Sequence, residues 1–533
     1  MSRVQRADFY GCESGARASP SLQTDHTLAL KAGYGIRRGT FFVLLAPSSG
    51  GRVTSIVSKK GLLFIIVLAL IAIYLGLIGN ARWGDSTAPE ISLEQPFDLV
   101  GPTTPLVLRI HDDGTGLRDI SVRIIHNLET FSLADQSFSS EGWFSAAGGR
   151  DHEFTLNVIP YADSDLPRRQ GQAQLIVTAR DYSWRNWFEG NGQRLEKEFT
   201  PQFTPPRLEL LSPPTTIVQG GAGIVRYQVI PDVSIHGVKI GEAFFPGYPA
   251  PDKAGMFAFI AFPYNLPSST PIQVIADDGY GNSALMDVSF KVKPQAWRTR
   301  SITISDSFIR KTVPTILAQT PELQSMGDPL KDFLLVNDTL RKMNNETISK
   351  LAKSSRHEFL WKGAFRQLSG SQVEASFADH RKYMYKGQVV DTQDHLGFDL
   401  AVTQHYPVEA ANNGIVIFAG YLGIYGNTII LDHGYGLLSL YAHLSSIEGK
   451  PGDAVTLGQP IGKSGTTGLA AGDHLHFSLI LHGEQVNPTE WWDPFWVKTR
   501  IKDQLGLPSL VKPTDEEPEP ATTHLGPSPA PVQ

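Results

Sequence analysis

Residues 61–79 read GLLFIIVLALIAIYLGLIG, nineteen in a row without a charge. An α-helix needs about 20 apolar residues to cross a hydrocarbon core, so this run is long enough. A core helix of a soluble domain would keep a polar face, and none is visible here. The run predicts one transmembrane helix over 61–79, dividing the chain into an N-terminal segment, 1–60, and a long C-terminal part. Arg52, Lys59 and Lys60 lie just before it, and Arg82 is the one nearby base after it. That asymmetry predicts a cytoplasmic N-terminus, a single pass through the inner (cytoplasmic) membrane, and a periplasmic or extracellular C-terminal part. A cleaved signal peptide fits less well, because the run exceeds a usual h-region and follows about 60 residues of other sequence.

Composition narrows the chemistry open to the exported part. Its 533 residues contain one cysteine, Cys12, and that lies before the apolar run. A disulfide framework, a Cys-rich zinc site and a Cys nucleophile are therefore excluded beyond the membrane, and any metal there must be held by His, Asp or Glu. The formal charge of -6 is small for this length and gives no sign of a nucleic-acid partner. Before the apolar run, Thr40–Leu45 and Arg52–Val57 read as a small hairpin around Pro47–Gly51.

The expected fold class is mainly β. From about Thr87 to Pro294, short β runs such as Pro105–His111, Ile120–Ile125, Ala173–Ala179 and Ile272–Ala276 alternate with Gly, Pro, Asp and Asn. A two-fold repeat is visible: Thr87-Ala-Pro-Glu-Ile and Thr204-Pro-Pro-Arg-Leu open the two units, and Val177-Thr-Ala-Arg-Asp matches Val274-Ile-Ala-Asp-Asp near their ends. Both units resemble bacterial immunoglobulin-like β-sandwiches, over 87–203 and 204–296, and are expected to serve as spacers or wall-contact modules. Asp112-Asp113-Gly114 and Asp277-Asp278-Gly279 are read as turns rather than calcium loops. Residues 297–356 are expected to be a partly helical linker, with Asp338 as N-cap of a helix over Thr339–Ala352. A Pro-rich, acidic tail, 502–533, has too little apolar surface to order itself, so the folded chain is expected to end near Ile501.

Histidines cluster between these last two segments, in His395-Leu-Gly-Phe-Asp399, Tyr441-Ala-His443-Leu444 and His474-Leu-His476-Phe477. Alternation along a strand would put His474 and His476 on one face, an arrangement that suits tetrahedral zinc. His395 and Asp399, four apart, would also share a face and supply half of a metal site. His443 closes a strand-like run and can face the same cleft. His405, His433 and His482 are left as structural or surface residues, His433 most simply in a turn.

At these residues the chain resembles the lysostaphin/LytM-like zinc endopeptidases of bacterial cell walls, over about 377–492. The three motifs occur in the family's order, with Ala410–Val416 (AANNGIV), Tyr425–Gly434 (YGNTIILDHG) and Gly458–Gly468 (GQPIGKSGTTG) between them. A departure is Thr403-Gln-His405, where many members carry Gly before Pro-Val. The resemblance implies an antiparallel β peptidase domain over 357–501, with His395, Asp399 and His476 as ligands to Zn2+. It implies His443 and His474 as the catalytic pair and Arg381 as a substrate-binding residue. It also implies peptidoglycan as substrate, through its peptide cross-links or stem peptides. The alternatives are a non-catalytic LytM-type wall-binding or amidase-activating regulator, and an envelope protein in which the metal only stabilises.

Overall fold

The computed structural model describes residues 58–95 and 97–507. Cys12, the hairpin expected before Lys59 and most of the Pro-rich tail lie outside the described residues. The apolar run sits within one α-helix, Lys59–Gly84, whose 26 residues span about 39 Å. Arg82 in its last turn is buried rather than free: it donates to Tyr182 O (2.8 Å) and Gly142 O (3.2 Å) and stacks over Trp184.

The first β region follows. One sheet orders Glu90–Leu93, Leu106–His111 and Glu153–Val158. The other places Gly192–Pro201, Ala173–Asp181, Leu117–His126 and Glu129–Ser137 side by side. Alternation decides which side chains go inward: Ala173, Leu175, Val177 and Ala179 are buried while their neighbours are half-buried.

The second β region repeats this order, with one added edge strand, Tyr248–Pro249, beside Met256–Ala261. Arg207–Leu210, Ala222–Ile230 and Met256–Ala261 form one sheet, and Ser283–Asp287, Ile272–Asp277, Ile235–Ile240 and Ala243–Pro246 the other. Even the parallel edge recurs, Leu99–Val100 beside Gly192–Pro201 and Thr216–Val218 beside Lys291–Lys293. The matched segments of the sequence repeat fall on equivalent central strands, Ala173–Asp181 and Ile272–Asp277. Both Asp-Gly segments are turns closed by their own carboxylates, Asp112 accepting from Gly114 and Gly116 and Asp277 from Gly279.

Residues 297–356 do more than link. Thr299–Thr303 joins a three-stranded sheet, pairing in parallel with Asp379–Tyr385, which pairs in turn with Gln388–His395. Helices Asp306–Ala318, Pro329–Leu334 and Arg341–Ala352 follow, the last two joined by a π-helical turn, Leu335–Leu340. Asp328 caps the second helix, and Asp338, the expected cap, lies within the π turn and pairs with Lys342. Buried Ile309, Val313, Phe333 and Ile348 share a core with Ile430, Leu438, Leu440 and Ile480.

Those last four belong to an antiparallel sheet ordered Gln372–Ala375, Phe398–Ala401, Leu475–Leu481, Leu437–Ala442, Asn427–Asp432, Gly414–Tyr421 and Ala454–Val455. Its central strands are buried on both faces and mostly apolar, interrupted by Ser439, His476 and Ser478, because the helices cover one side and the second β region reaches the other. Order continues past Ile501 to a 3-10 turn, Asp503–Leu505, since Leu505 is buried in the same core.

Candidate metal and catalytic site

His395 and Asp399 do not share one strand. His395 ends Gln388–His395, whereas Asp399 lies in Phe398–Ala401, a strand of the larger sheet. The turn between them depends on Gly397: a Cβ there would stand 2.6 Å from the His476 ring and from Ser478 Oγ. His476 lies directly across from Asp399 in the neighbouring strand. Two sheets thus deliver three side chains to one point.

The donor atoms form a nearly equilateral triangle. His395 Nε2 is 2.9 Å from Asp399 Oδ1 and 3.0 Å from His476 Nδ1, and His476 Nδ1 is 3.0 Å from the same Oδ1. Outer partners determine which nitrogens carry protons. His395 Nδ1 donates to Ser376 O at 3.0 Å, leaving a lone pair on Nε2. Ser478 Oγ donates to Leu396 O and so accepts from His476 Nε2 at 3.0 Å, leaving a lone pair on Nδ1. Three acceptors with no proton among them, all buried, repel one another unless a cation sits between. Adjacent ligands of tetrahedral zinc are about 3.3 Å apart, close to these separations, and two imidazoles with a carboxylate are an apt donor set. Among the described residues they are the one group of His, Asp and Glu close enough to hold a metal ion.

Electrostatics agrees with a neutral His476 and an ionised Asp399. Burial draws His476 down to about 4. Burial opposes ionisation of Asp399, but the surrounding His395, His474 and His476 hold its carboxyl well below the usual range. Arg381 Nη2 donates to the other carboxylate oxygen, Oδ2, at 2.7 Å, orienting the ligand while the guanidinium lines the cleft.

His443 and His474 face the same cleft, their rings 4.9 Å apart. Each is tied through Nδ1 to a main-chain carbonyl, His443 to Thr467 O and His474 to Gly472 O, both at 2.8 Å. In the neutral form each therefore turns an unprotonated Nε2 inward. His443 lies one residue past Leu437–Ala442 with φ of 59°, a left-handed conformation that costs a non-glycine residue free energy and aims the ring off the strand. Burial, reinforced by His474 and His476, keeps His443 well below its ordinary pKa. Burial also pulls His474 down, but the Asp399 carboxylate outweighs it and His474 sits above the ordinary value. His474 precedes its strand, which begins at Leu475, yet still joins His476 in the cleft.

Residues 393–488 match the model of Peptidase family M23. The chain carries an M23 peptidase domain. Over 94 residues it is 42% identical to the DD-carboxypeptidase/endopeptidase Mpg of Neisseria meningitidis, covering 18% of this chain and 22% of that protein. Over 93 residues it is 40% identical to the peptidoglycan DD-endopeptidase ShyA of Vibrio cholerae, covering 17% and 22%. The chain thus spans about a fifth of the length of these curated relatives. Among solved structures, the catalytic domain of lysostaphin from Staphylococcus simulans is 28% identical and covers 25% of this chain and 98% of its own, with a TM-score of 0.21.

Within the M23 domain the other histidines stay apart from the metal trio. His433 is fully buried, the structural rather than the surface alternative: Nδ1 donates to Asn413 O and Nε2 accepts from Ser439 Oγ, both at 2.7 Å. Burial draws it to about 4, so it is a neutral structural link. His405 is exposed, and His482 packs against Phe245 and Tyr248 of the second β region. Ser478 went unnoticed in the sequence, although its position two residues after His476 on a strand marks it as a neighbour on the same face. Tyr425, also unforeseen, lines the cleft with its ring 5.5 Å from that of His476.

Proposed function

We propose that this protein is a membrane-anchored zinc metalloendopeptidase that cleaves peptide cross-links or stem peptides of peptidoglycan. The observation that carries the proposal is the convergence of two imidazole lone pairs and one carboxylate oxygen, with every outer nitrogen already committed elsewhere. The M23 match and the DD-endopeptidase relatives support a peptidase acting on the wall. The uncharged run 61–79 within the helix, with bases before it, supports the anchor and an inner-membrane location. A complete donor set with both additional histidines in place argues against the non-catalytic regulator.

Zinc held by His395, Asp399 and His476 would keep a fourth position open, polarise a peptide carbonyl and acidify water. Arg381 holds Asp399 in one orientation through Oδ2. His443 and His474 present Nε2 to the cleft, where each can accept a proton from attacking water or, once protonated, donate to developing oxyanion or amine. The main-chain acceptors of Thr467 and Gly472 keep both rings in the tautomer this requires.

The test is digestion of purified peptidoglycan, read by muropeptide analysis and metal content. The wild-type protein should release cross-linked fragments, and a chelator should stop it. His395→Ala or Asp399→Asn should lose metal and activity together. His443→Ala should keep metal and lose at least about 100-fold in turnover. Retention of full activity in His395→Ala, or metal loss in His443→Ala, would refute the assignment.

A further inference from the structure

The cleft above the metal trio, about 520 Å3 in volume, is lined by three guanidiniums, those of Arg300, Arg341 and Arg381. None lies in the stretch that matches the family. Arg381 is committed to Asp399, but among the described residues neither Arg300 nor Arg341 has a carboxylate within 4.0 Å.

Arg341 is built into place. It is the first residue after the π-helical turn Leu335–Leu340, and such turns are frequent at functional sites. Its Nε donates to Asn337 O at 2.9 Å and its Nη2 to Asn337 Oδ1 at 2.6 Å. Asn337 is fully buried and spends its own amide N–H on Asp391 Oδ2 at 2.7 Å, so its oxygen must face the arginine. Two of the five guanidinium N–H groups are used in this way, both on neutral acceptors. The charge is held rigidly and half-buried in the lining of the cleft, where Asp338 feels it but makes no ion pair with it.

Arg300 is positioned by register. It lies directly beside Arg381 in the parallel pair Thr299–Thr303 and Asp379–Tyr385, so the two side chains share a face. Its Nη1 donates to Glu374 O at 2.6 Å. Helix capping alone would explain a lone Arg341. It does not explain a second guanidinium that makes no ion pair in a cleft whose acids are Glu374, Asp399 and Asp473.

We propose that Arg341 and Arg300 form a carboxylate-binding subsite, so that the favoured substrate is a peptide with a free carboxylate near the scissile bond. A planar carboxylate matches the remaining N–H fork of a guanidinium, a match that an amide cannot make with the same strength. This inference rests on the peptidase reading and gives residues 297–356 a part in substrate choice.

The experiment uses the full chain in detergent with two synthetic cross-linked stem peptides, identical except that one carries a free carboxylate and the other a carboxamide beside the cleaved bond. The wild type should prefer the carboxylate by about 10-fold or more in kcat/KM. Arg341→Gln should bring that ratio towards one by raising KM for the carboxylate peptide, and Arg341→Lys should recover part of it. Arg300→Gln, at an exposed position, gives a second variant should Arg341→Gln not fold. A wild-type ratio of one, or equal losses on both peptides in the variants, overturns the subsite while leaving the peptidase intact. Failure to cleave either peptide overturns both.

Discussion

In the first β region, 90–201, the inward side chains of the two sheets, Leu108, Val122 and Leu175 among them, pack on one another and make a core of their own. In the second, 207–293, strands laid out in the same order contribute Tyr248, Phe257 and Phe259 to a core that runs on into the M23 domain. Tyr248 meets Tyr435 at 4.9 Å, Phe257 meets Phe359 at 6.0 Å and Phe259 meets Trp491 at 6.3 Å between ring centroids. Polar contacts reinforce the junction: Asn487 N donates to Gly220 O, Tyr264 Oη to Asp394, and Ala222 N to Glu490. Between the first and second regions the ties include Thr103 N to Tyr280 O and Asn282 Nδ2 to Gln202 O. Sheet order alone therefore does not set a domain's role. The faces left apolar outside the sandwich decide whether it stands alone or becomes part of its neighbour.

The largest effect should come from cutting at the two boundaries. A chain beginning at residue 204 should fold and keep its peptidase activity. A chain beginning at residue 298 should be insoluble, because it strips the partners from Phe359, Tyr435 and Trp491. Burial of one large apolar side chain contributes about 1.5–3 kcal/mol, so a few such losses equal a typical domain's whole stability of about 5–15 kcal/mol. Soluble yield and circular-dichroism melting are the measurements. Cooperative melting of the shorter chain would break the distinction between the two β regions.

Point substitutions should sharpen it. Trp491 is fully buried, against Phe259 of the second region and against Trp361 and Phe365, which precede the residues that match the M23 family. Trp491→Ala should cost about 3–5 kcal/mol and lower one calorimetric transition in which both parts melt together. Leu108→Ala, in the separate core, should cost about 2–5 kcal/mol in a different transition and leave the proposed peptidase activity as it was. A shift of both transitions by either substitution would show that the cores are coupled.

The clustering of His395, Asp399, His443, His474 and His476 in one cleft was legible because their three short motifs stand close together in the sequence, while the separate roles proposed for them come from the family resemblance. His-x-Gly-x-Asp even shows its glycine, whose purpose, clearance for the His476 ring, needs coordinates to see. The β repeat was legible through alternation and turn residues. The fused core was not, since Ala222 and Glu490 are far apart in sequence and nothing local marks them as partners. Nor was the π turn before Arg341, since apolar periodicity alone reads the same segment as one α-helix capped by Asp338. His433 looked like a turn residue because its cover, Phe365, comes from a distant loop. The left-handed backbone of His443 is likewise set by tertiary contacts, its N–H donating to Tyr425 O.

The smallest expected effect is a pH dependence confined to the fused junction. Glu490, half-buried where it accepts from Ala222 N, is pushed up to about 7 by burial, against the opposing pull of that hydrogen bond and of Arg500. The folded protein then holds a proton that the unfolded chain releases near 4.5. The resulting stabilisation is fully present below that unfolded value and is lost as pH rises through about 7. Glu490→Gln mimics the protonated acid and keeps an acceptor for Ala222. Its Tm should equal that of the wild type near pH 4.5 and exceed it above pH 7, by on the order of 1–2 kcal/mol in stability. The gain should appear only in the transition shared by the second β region and the M23 domain. A gain in the first region's transition, or one that does not change with pH, would remove Glu490 from the junction's energetics.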